Sequence, residues 1–199
     1  MGEPVILASA SPTRQRLLAA AGLDVEIVPA LVDEEKIRHD FATDRQDIAD
    51  CALALAEAKA RQVANHHLHC LVIGADQILA CGKRWFSKPT DLGDARTQLR
   101  LLRGRDHELI TAACVVRDTA RIWHAISRAK LTMRQFSDAF LETYLIAEQA
   151  AILGSVGAYR LEGRGAQLFS AIRGDYFAIL GLPLLELLGF LRTRGALEC

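Results

Sequence analysis

Neither sign of charge is in excess, and that absence is the first constraint on function. The 24 basic and 24 acidic residues cancel, so no overall field would draw the chain to nucleic acid or to an anionic membrane. Aromatic residues are scarce, at 6%, and no stripe of interleaved aromatic and basic side chains offers a nucleic acid both stacking and neutralisation. No apolar run reaches membrane-spanning length. The N-terminus, with Glu3 ahead of a short apolar run, lacks the basic leader and cleavage site of a secretory signal. Cys51, Cys70, Cys81, Cys114 and Cys199 are odd in number and widely spaced, which fits reduced core thiols better than a disulfide framework and points to a cytoplasmic protein. The GxxxxGK[ST] loop, a strand-following GxGxxG and the GxSxG elbow are all missing, which removes the best known phosphate loops and the serine-hydrolase turn.

What is present fits one globular domain of 199 residues, 51% hydrophobic, large enough to bury a sizeable core and at most a modest sub-lobe. The most informative stretch is VILASASPTRQRLL, from Val5 to Leu18. Val5, Ile6 and Leu7 read as a buried strand, and Leu17, Leu18 and Ala21 recur at helical spacing behind it. Ser11 is an N-cap and Pro12 stands at the first helical position, where its missing N–H costs nothing. The small residues Ala8, Ser9, Ala10 and Ser11 let a ligand approach the backbone, and the helix start presents free N–H groups to an anion. Arg14, one turn in, can aim a guanidinium at the same place. An ordinary capped turn is the competing reading of this segment taken alone.

Downstream, Asp24 to Val28 reads as a strand, Pro29 to Arg45 as an irregular acid-rich connection, and Gln46 to Asn65 as a helix with Ala49, Leu53, Ala56 and Ala60 on one stripe. Leu71 to Ile73 forms a buried strand whose C-terminal end carries Asp76, the place where open α/β sheets keep their chemistry. A small hairpin flanks Gly82-Lys83, and Asp91 to Leu102 is a capped helix. Leu109 to Val116 and Arg121 to Arg134 are long strands about a turn at Asp118-Thr119, and Ser137 opens another helix. In the glycine-rich last third, Gln167 to Ile172 is a strand, Gly174-Asp175-Tyr176 a tight connection and Pro183 to Arg192 a closing helix. Early strands alternate with helices and later ones pair as hairpins. The expected fold class is therefore α/β, a mixed twisted sheet with flanking helices.

Two apparent motifs carry little. His66, His67, His69 and Cys70 crowd a helix end, without a second ligand pair at zinc spacing. Ser127 and Lys130 spell SxxK inside a strand-like run, with no companion SDN or KTG. A third set carries more: Arg14, Glu34, Lys59, Asp76 and Lys88 all fall at or near element ends. Two acids and three bases of this kind can form a triphosphate site, with Mg²⁺ or Mn²⁺ on hard carboxylate oxygens and the cations neutralising phosphate charge.

The residues that bind this set together are LASASPTR at 7–14, VDE at 32–34, AEAKA at 56–60, IGADQ at 73–77, SKP at 87–89, GAYRLEGRG at 157–165 and GDYFAILGLP at 174–183. In order and in coverage of nearly the whole chain they resemble the Maf family of nucleoside triphosphate pyrophosphatases. The resemblance implies an α/β fold of two lobes around a cleft, of the Maf and ITPase-like kind. It also implies metal-dependent hydrolysis of a nucleotide to its monophosphate and pyrophosphate. On that resemblance Asp76 is the catalytic acid and, with Glu34, a metal position for Mg²⁺ or Mn²⁺. Ser9, Ser11, Arg14, Lys59 and Lys88 are phosphate or substrate positions. A homodimer is compatible with it, and neither nucleic acid nor membrane is an expected partner. Carboxylates are weak bases toward free water, but a carboxylate that orients metal-acidified water suffices.

Three positions that vary between branches of the family bear on the base. Thr13 departs from the usual SPRR spelling, while Gln77 and Glu162 look like the branch acting on 7-methyl-GTP rather than dTTP or UTP. A carboxylate can accept both N1–H and the exocyclic amine of guanine, and its charge complements a ring made cationic by N7 methylation. The rival functions are a dTTP/UTP pyrophosphatase of the same family and a nucleotide-binding regulator of cell division or septum formation. For Glu162 alone, a surface pair with Arg160 or Arg164 is the competing reading.

Overall fold

In the computed structural model, residues 3–43 and 47–197 are described. The expected helix start at Gln46 and the thiol of Cys199 lie outside them. A seven-stranded sheet runs in the order β2-β1-β3-β5-β6-β7, with β4 paired to β3. Its strands are β1 (Val5–Leu7), β2 (Glu26–Ile27), β3 (Leu71–Cys81), β4 (Arg84–Phe86), β5 (Asp106–Arg117), β6 (Ala120–Met133) and β7 (Phe169–Arg173). The helices are α1 (Pro12–Ala20), α2 (Glu34–Thr43), α3 (Ile48–Ala64), α4 (Leu92–Leu102), α5 (Asp138–Glu148), α6 (Tyr176–Ile179) and α7 (Leu184–Thr193). β1 lies parallel to both β2 and β3, whereas β4 on β3 and β7 on β6 are antiparallel. This is the mixed α/β sheet with flanking helices that the alternation of patterns implies.

The chain divides into two compact units: Met1–Gln77 with Thr111–Ser127 and Gly181–Cys199, and Ile78–Ile110 with Arg128–Leu180. β3, β5 and β6 each pass from one unit to the other.

In the first unit the parallel strands β1 and β3 are buried along Ile6, Leu7, Leu71 and Ile73. α3 begins at Asp47, whose side chain accepts from the Ala49 N–H at 2.7 Å, and it buries Leu55, Ala56 and Ala60 completely. A buried leucine of this kind contributes about 2 kcal/mol. The alanines have a second use. Gly74 of β3 lies so close to the Ala56 carbonyl and the Ala60 side chain that a Cβ there would collide with both. This close approach sets the next turn of α3, carrying Lys59, against the strand that carries Asp76. Burial pushes the thiols of Cys51 and Cys114 up, to about 11 and about 12, so both are inert core groups.

The second unit packs α4 and α5 with the distal parts of β3, β5 and β6 around Leu79, Leu99, Leu131, Met133, Leu141 and Tyr144. Asp91 and Ser137 cap their helices through the N–H groups of Asp94 and Phe140. Its interior holds a neutral polar pair, His107 Nε2 and the Tyr159 hydroxyl at 2.9 Å, and the Tyr144 hydroxyl donates to the Ala158 carbonyl at 3.2 Å. That bond helps hold Ala158 at φ +58°, a left-handed conformation that costs a non-glycine residue roughly 1 kcal/mol.

Four expectations are corrected. The acid-rich stretch after Pro29 is not irregular: Asp33 accepts from the Lys36 N–H at 3.0 Å, and α2 follows with Glu34 and Glu35 in its first turn, where acids suit the helix dipole. β3 does not stop at Ile73 but runs eleven residues, because Gly74, Ala75 and Asp76 pair onward as a strand despite low intrinsic propensity. Asp76 therefore sits in mid-strand rather than at a strand end. β2 is only two residues long. Asp175 caps the Ala178 N–H at 2.7 Å and starts the short α6 where a plain tight connection was expected.

Candidate active site

The turn between β1 and α1 is built by its own side chains. The Ala8 N–H donates to the Ile73 carbonyl at 2.8 Å, fixing the exit of β1 beside β3. The Ser11 N–H donates to Ser9 Oγ at 3.2 Å, and Ser11 Oγ in turn accepts from the Arg14 N–H at 3.4 Å. Pro12 occupies the helix start. The Arg14 guanidinium folds back over this turn, with NH1 donating to Ser9 Oγ at 3.1 Å and Nε donating to the Gly181 carbonyl at 2.7 Å. Gly181 has φ +104°, which only glycine adopts without strain. The first and last of the family-like blocks, LASASPTR and GDYFAILGLP, thus meet through one arginine.

Near enough for its charges to act on Arg14 is an ion cluster. Asp76, with a side chain 5% exposed, receives Lys59 Nζ on Oδ1 at 2.6 Å and Arg38 NH2 on Oδ2 at 3.4 Å. Glu34 receives the same Lys59 Nζ on Oε1 at 2.8 Å and the same Arg38 NH2 on Oε2 at 3.4 Å. All four carboxylate oxygens face a cation, and the cluster is neutral in sum. Taking Asp76 out of water costs several kcal/mol, which only such close pairing offsets. An apolar group would fill the position at lower cost, so stability alone does not account for the retained charge. Arg14 adds a positive charge nearby: burial pulls its pKa below the ordinary arginine range, while the fields of Asp76 and Glu34 oppose that shift.

Ser9, Ser11, Arg14, Glu34, Lys59 and Asp76 are therefore brought together within the first unit. Gln77, next on β3, donates from Nε2 to Thr111 Oγ1 of β5 at 2.8 Å. Thr13 accepts from Arg16 NH2 at 3.2 Å on the exposed side of α1. Lys88 and Glu162 belong to the second unit: Lys88 is exposed after β4, and Glu162 Oε1 stands 3.5 Å from Arg160 Nε, the surface pair named as its competing reading. Sequence reasoning missed Arg38, Thr111 and the role of Gly181. Arg38 had a usable signal, its i, i+4 spacing from Glu34, which is visible only once α2 is recognised as a helix. Thr111 had none, since its partner is 34 residues away. Among the described residues no helix is long and apolar enough to cross a membrane.

Comparison with known proteins finds relatives along nearly the whole chain. A protein from Rhodospirillum rubrum named nucleoside triphosphate pyrophosphatase is 50% identical over 98% of this chain and 96% of its own. One from Mesorhizobium japonicum named 7-methyl-GTP pyrophosphatase is 48% identical over 100% of both. A solved nucleoside-triphosphatase / dITP/XTP pyrophosphatase from Mycobacterium abscessus overlaps 65% of this chain and 72% of that one, at 17% identity and a TM-score of 0.36. The family described as Maf-like protein matches residues 4–194. With one family spanning nearly the whole chain and relatives half-identical from end to end, the chain belongs to the Maf family.

Proposed function

We propose that this chain is a nucleoside triphosphate pyrophosphatase, cleaving its substrate between the α and β phosphates to give the monophosphate and pyrophosphate. The observation that carries this reading is the charged cluster of Lys59, Asp76, Glu34 and Arg38, whose acids act on the Arg14 that closes the helix-start turn. Arg14 and the N–H groups at the start of α1 supply positive charge to a phosphate. The names of the relatives from R. rubrum and M. japonicum agree with this activity.

Mg²⁺ or Mn²⁺ is the proposed cofactor, held by Glu34 and Asp76. The residues fit by donor type: one oxygen from each carboxylate, Glu34 Oε2 and Asp76 Oδ2, faces a single atom, Arg38 NH2, at 3.4 Å, and hard oxygens are the donors such ions select. When bound, the ion neutralises phosphate charge and acidifies a water. Asp76 would hold a water by hydrogen bonding, Lys59 would keep the two carboxylates in register, and Arg14 would orient the phosphate. Lys88 enters as a phosphate residue through the SKP motif.

For the base, 7-methyl-GTP is the proposed preference over dTTP and UTP, supported by Gln77 and Glu162 and by the name of the M. japonicum relative. The Glu162–Arg160 contact supports a plainer role for Glu162, which leaves Gln77, fixed on Thr111, as the stronger specificity position. The deciding experiment is product analysis with Mg²⁺ or Mn²⁺ over a nucleotide panel. Pyrophosphate as first product is expected; orthophosphate, or no turnover of any nucleotide, would overturn the reading.

A further inference from the structure

We infer that Arg38 is a built-in competitor of the divalent cation: it holds Glu34 and Asp76 in the ligand-free chain and yields them when the cation enters, turning its charge to the triphosphate. The inference rests on the pyrophosphatase reading of the site. All four carboxylate oxygens of the pair face Lys59 or Arg38, and the cluster's two positive and two negative charges cancel. A divalent ion arriving on these oxygens competes with the two cations, and with both of them still nearby it leaves an excess of two positive charges that a polyphosphate then compensates.

The geometry selects which cation moves. Lys59 makes the short contacts, 2.6 and 2.8 Å, from a helix pinned to β3 at Gly74. Arg38 reaches the same two carboxylates at 3.4 Å each, with a side chain 19% exposed. It stands on α2, a ten-residue helix in which no described side chain is fully buried. A helix without a fully buried side chain among those described opens at lower cost than one set in the core. Arg38, unlike Lys59, also carries the planar fork that suits a phosphate.

The test titrates the full chain with MnCl₂ alone, without nucleotide, reading free Mn²⁺ by its paramagnetic resonance signal. Arg38→Gln removes the competing charge, so its Kd for Mn²⁺ should fall about threefold to tenfold, while Arg38→Lys should stay within about twofold of the parent. At saturating Mn²⁺ the KM of Arg38→Gln for the nucleoside triphosphate should rise about tenfold. Improved metal binding with impaired substrate binding is a split that mere structural damage, which weakens both, does not produce. Should Arg38→Gln fail to melt cooperatively, Arg38→Met, with the same expected signs, replaces it. Mn²⁺ binding unchanged or weakened in the neutral variant, or an unchanged KM, would overturn the inference. The two failures are separable. Tighter Mn²⁺ binding in the variant beside a parent that releases no pyrophosphate overturns the activity alone, and the converse result overturns the role of Arg38 alone.

Discussion

The two units solve the same problem, polar groups inside an apolar fold, in opposite ways. In the first, buried Asp76 is paired with Lys59 and Arg38, one oxygen to each, and both cations reach on to the partly exposed Glu34. In the second, the interior groups are kept neutral: burial pulls His107 down to about 4 and pushes Tyr144 up, and Tyr159 likewise, with His107 and Tyr159 sharing one hydrogen bond. Neutral polar groups cost little to bury once bonded, so the second arrangement suits a scaffold. Buried charges are costly even when paired, so stability alone does not account for the first arrangement.

The comparison predicts where substitutions cost activity and where they cost stability. The largest effect is expected from Asp76→Asn, which removes the charge at nearly constant shape. Pyrophosphate release should drop by at least about 10²-fold while the protein still melts cooperatively. A variant keeping more than about a tenth of the parent rate would show Asp76 to be peripheral.

Lys59→Met strikes the same cluster from the other side. It leaves two carboxylates against a single cation, so it should destabilise by on the order of 3 kcal/mol and abolish turnover. Urea denaturation measures the first quantity. A loss under 1 kcal/mol would mean that the cluster relaxes into water and that its burial is inconsequential.

The neutral unit should instead reveal itself in acid. His107 titrates near 6.5 in the unfolded chain and at about 4 when folded. Between those values the unfolded state binds the extra proton, so stability rises with pH. The contribution of His107 is complete above about pH 6.5 and is lost as pH falls toward 4, amounting to about 3 kcal/mol. Stability measured across that window should fall less steeply in His107→Gln than in the parent; equal slopes would place the proton elsewhere.

The smallest expected effect is on base choice. Glu162→Gln should narrow any preference for 7-methyl-GTP over dTTP and UTP by about tenfold or less in kcat/KM, roughly 1 kcal/mol. Since Glu162 pairs with Arg160, a ratio that does not move would assign it to that pair and shift base selection to Gln77.

Legibility followed distance along the chain. The β1 strand, the Ser11 cap, Pro12 and the start of α1 lie within a few residues of one another, and the local signals for each agree. The same holds for α3, whose alanine stripe reads directly as a buried face. α2 was obscured because its acids suit both a loop and a helix start. β3 was cut short because Gly74, Ala75 and Asp76 have poor strand propensity, which pairing in the sheet overrides.

The sequence by itself determined which residues could carry charge to a phosphate, because caps, turns and periodicity are properties of neighbouring residues. Only the tertiary structure decided which of them meet. Arg14 finds the Gly181 carbonyl across 167 residues, and Asp76 gathers Lys59 and Arg38 from two helices, 17 and 38 residues away in sequence. Such pairings depend on sheet register and on how closely a helix can approach a strand, here the contact of Ala56 and Ala60 with Gly74. Local preference does not encode that contact, and close packing enforces it.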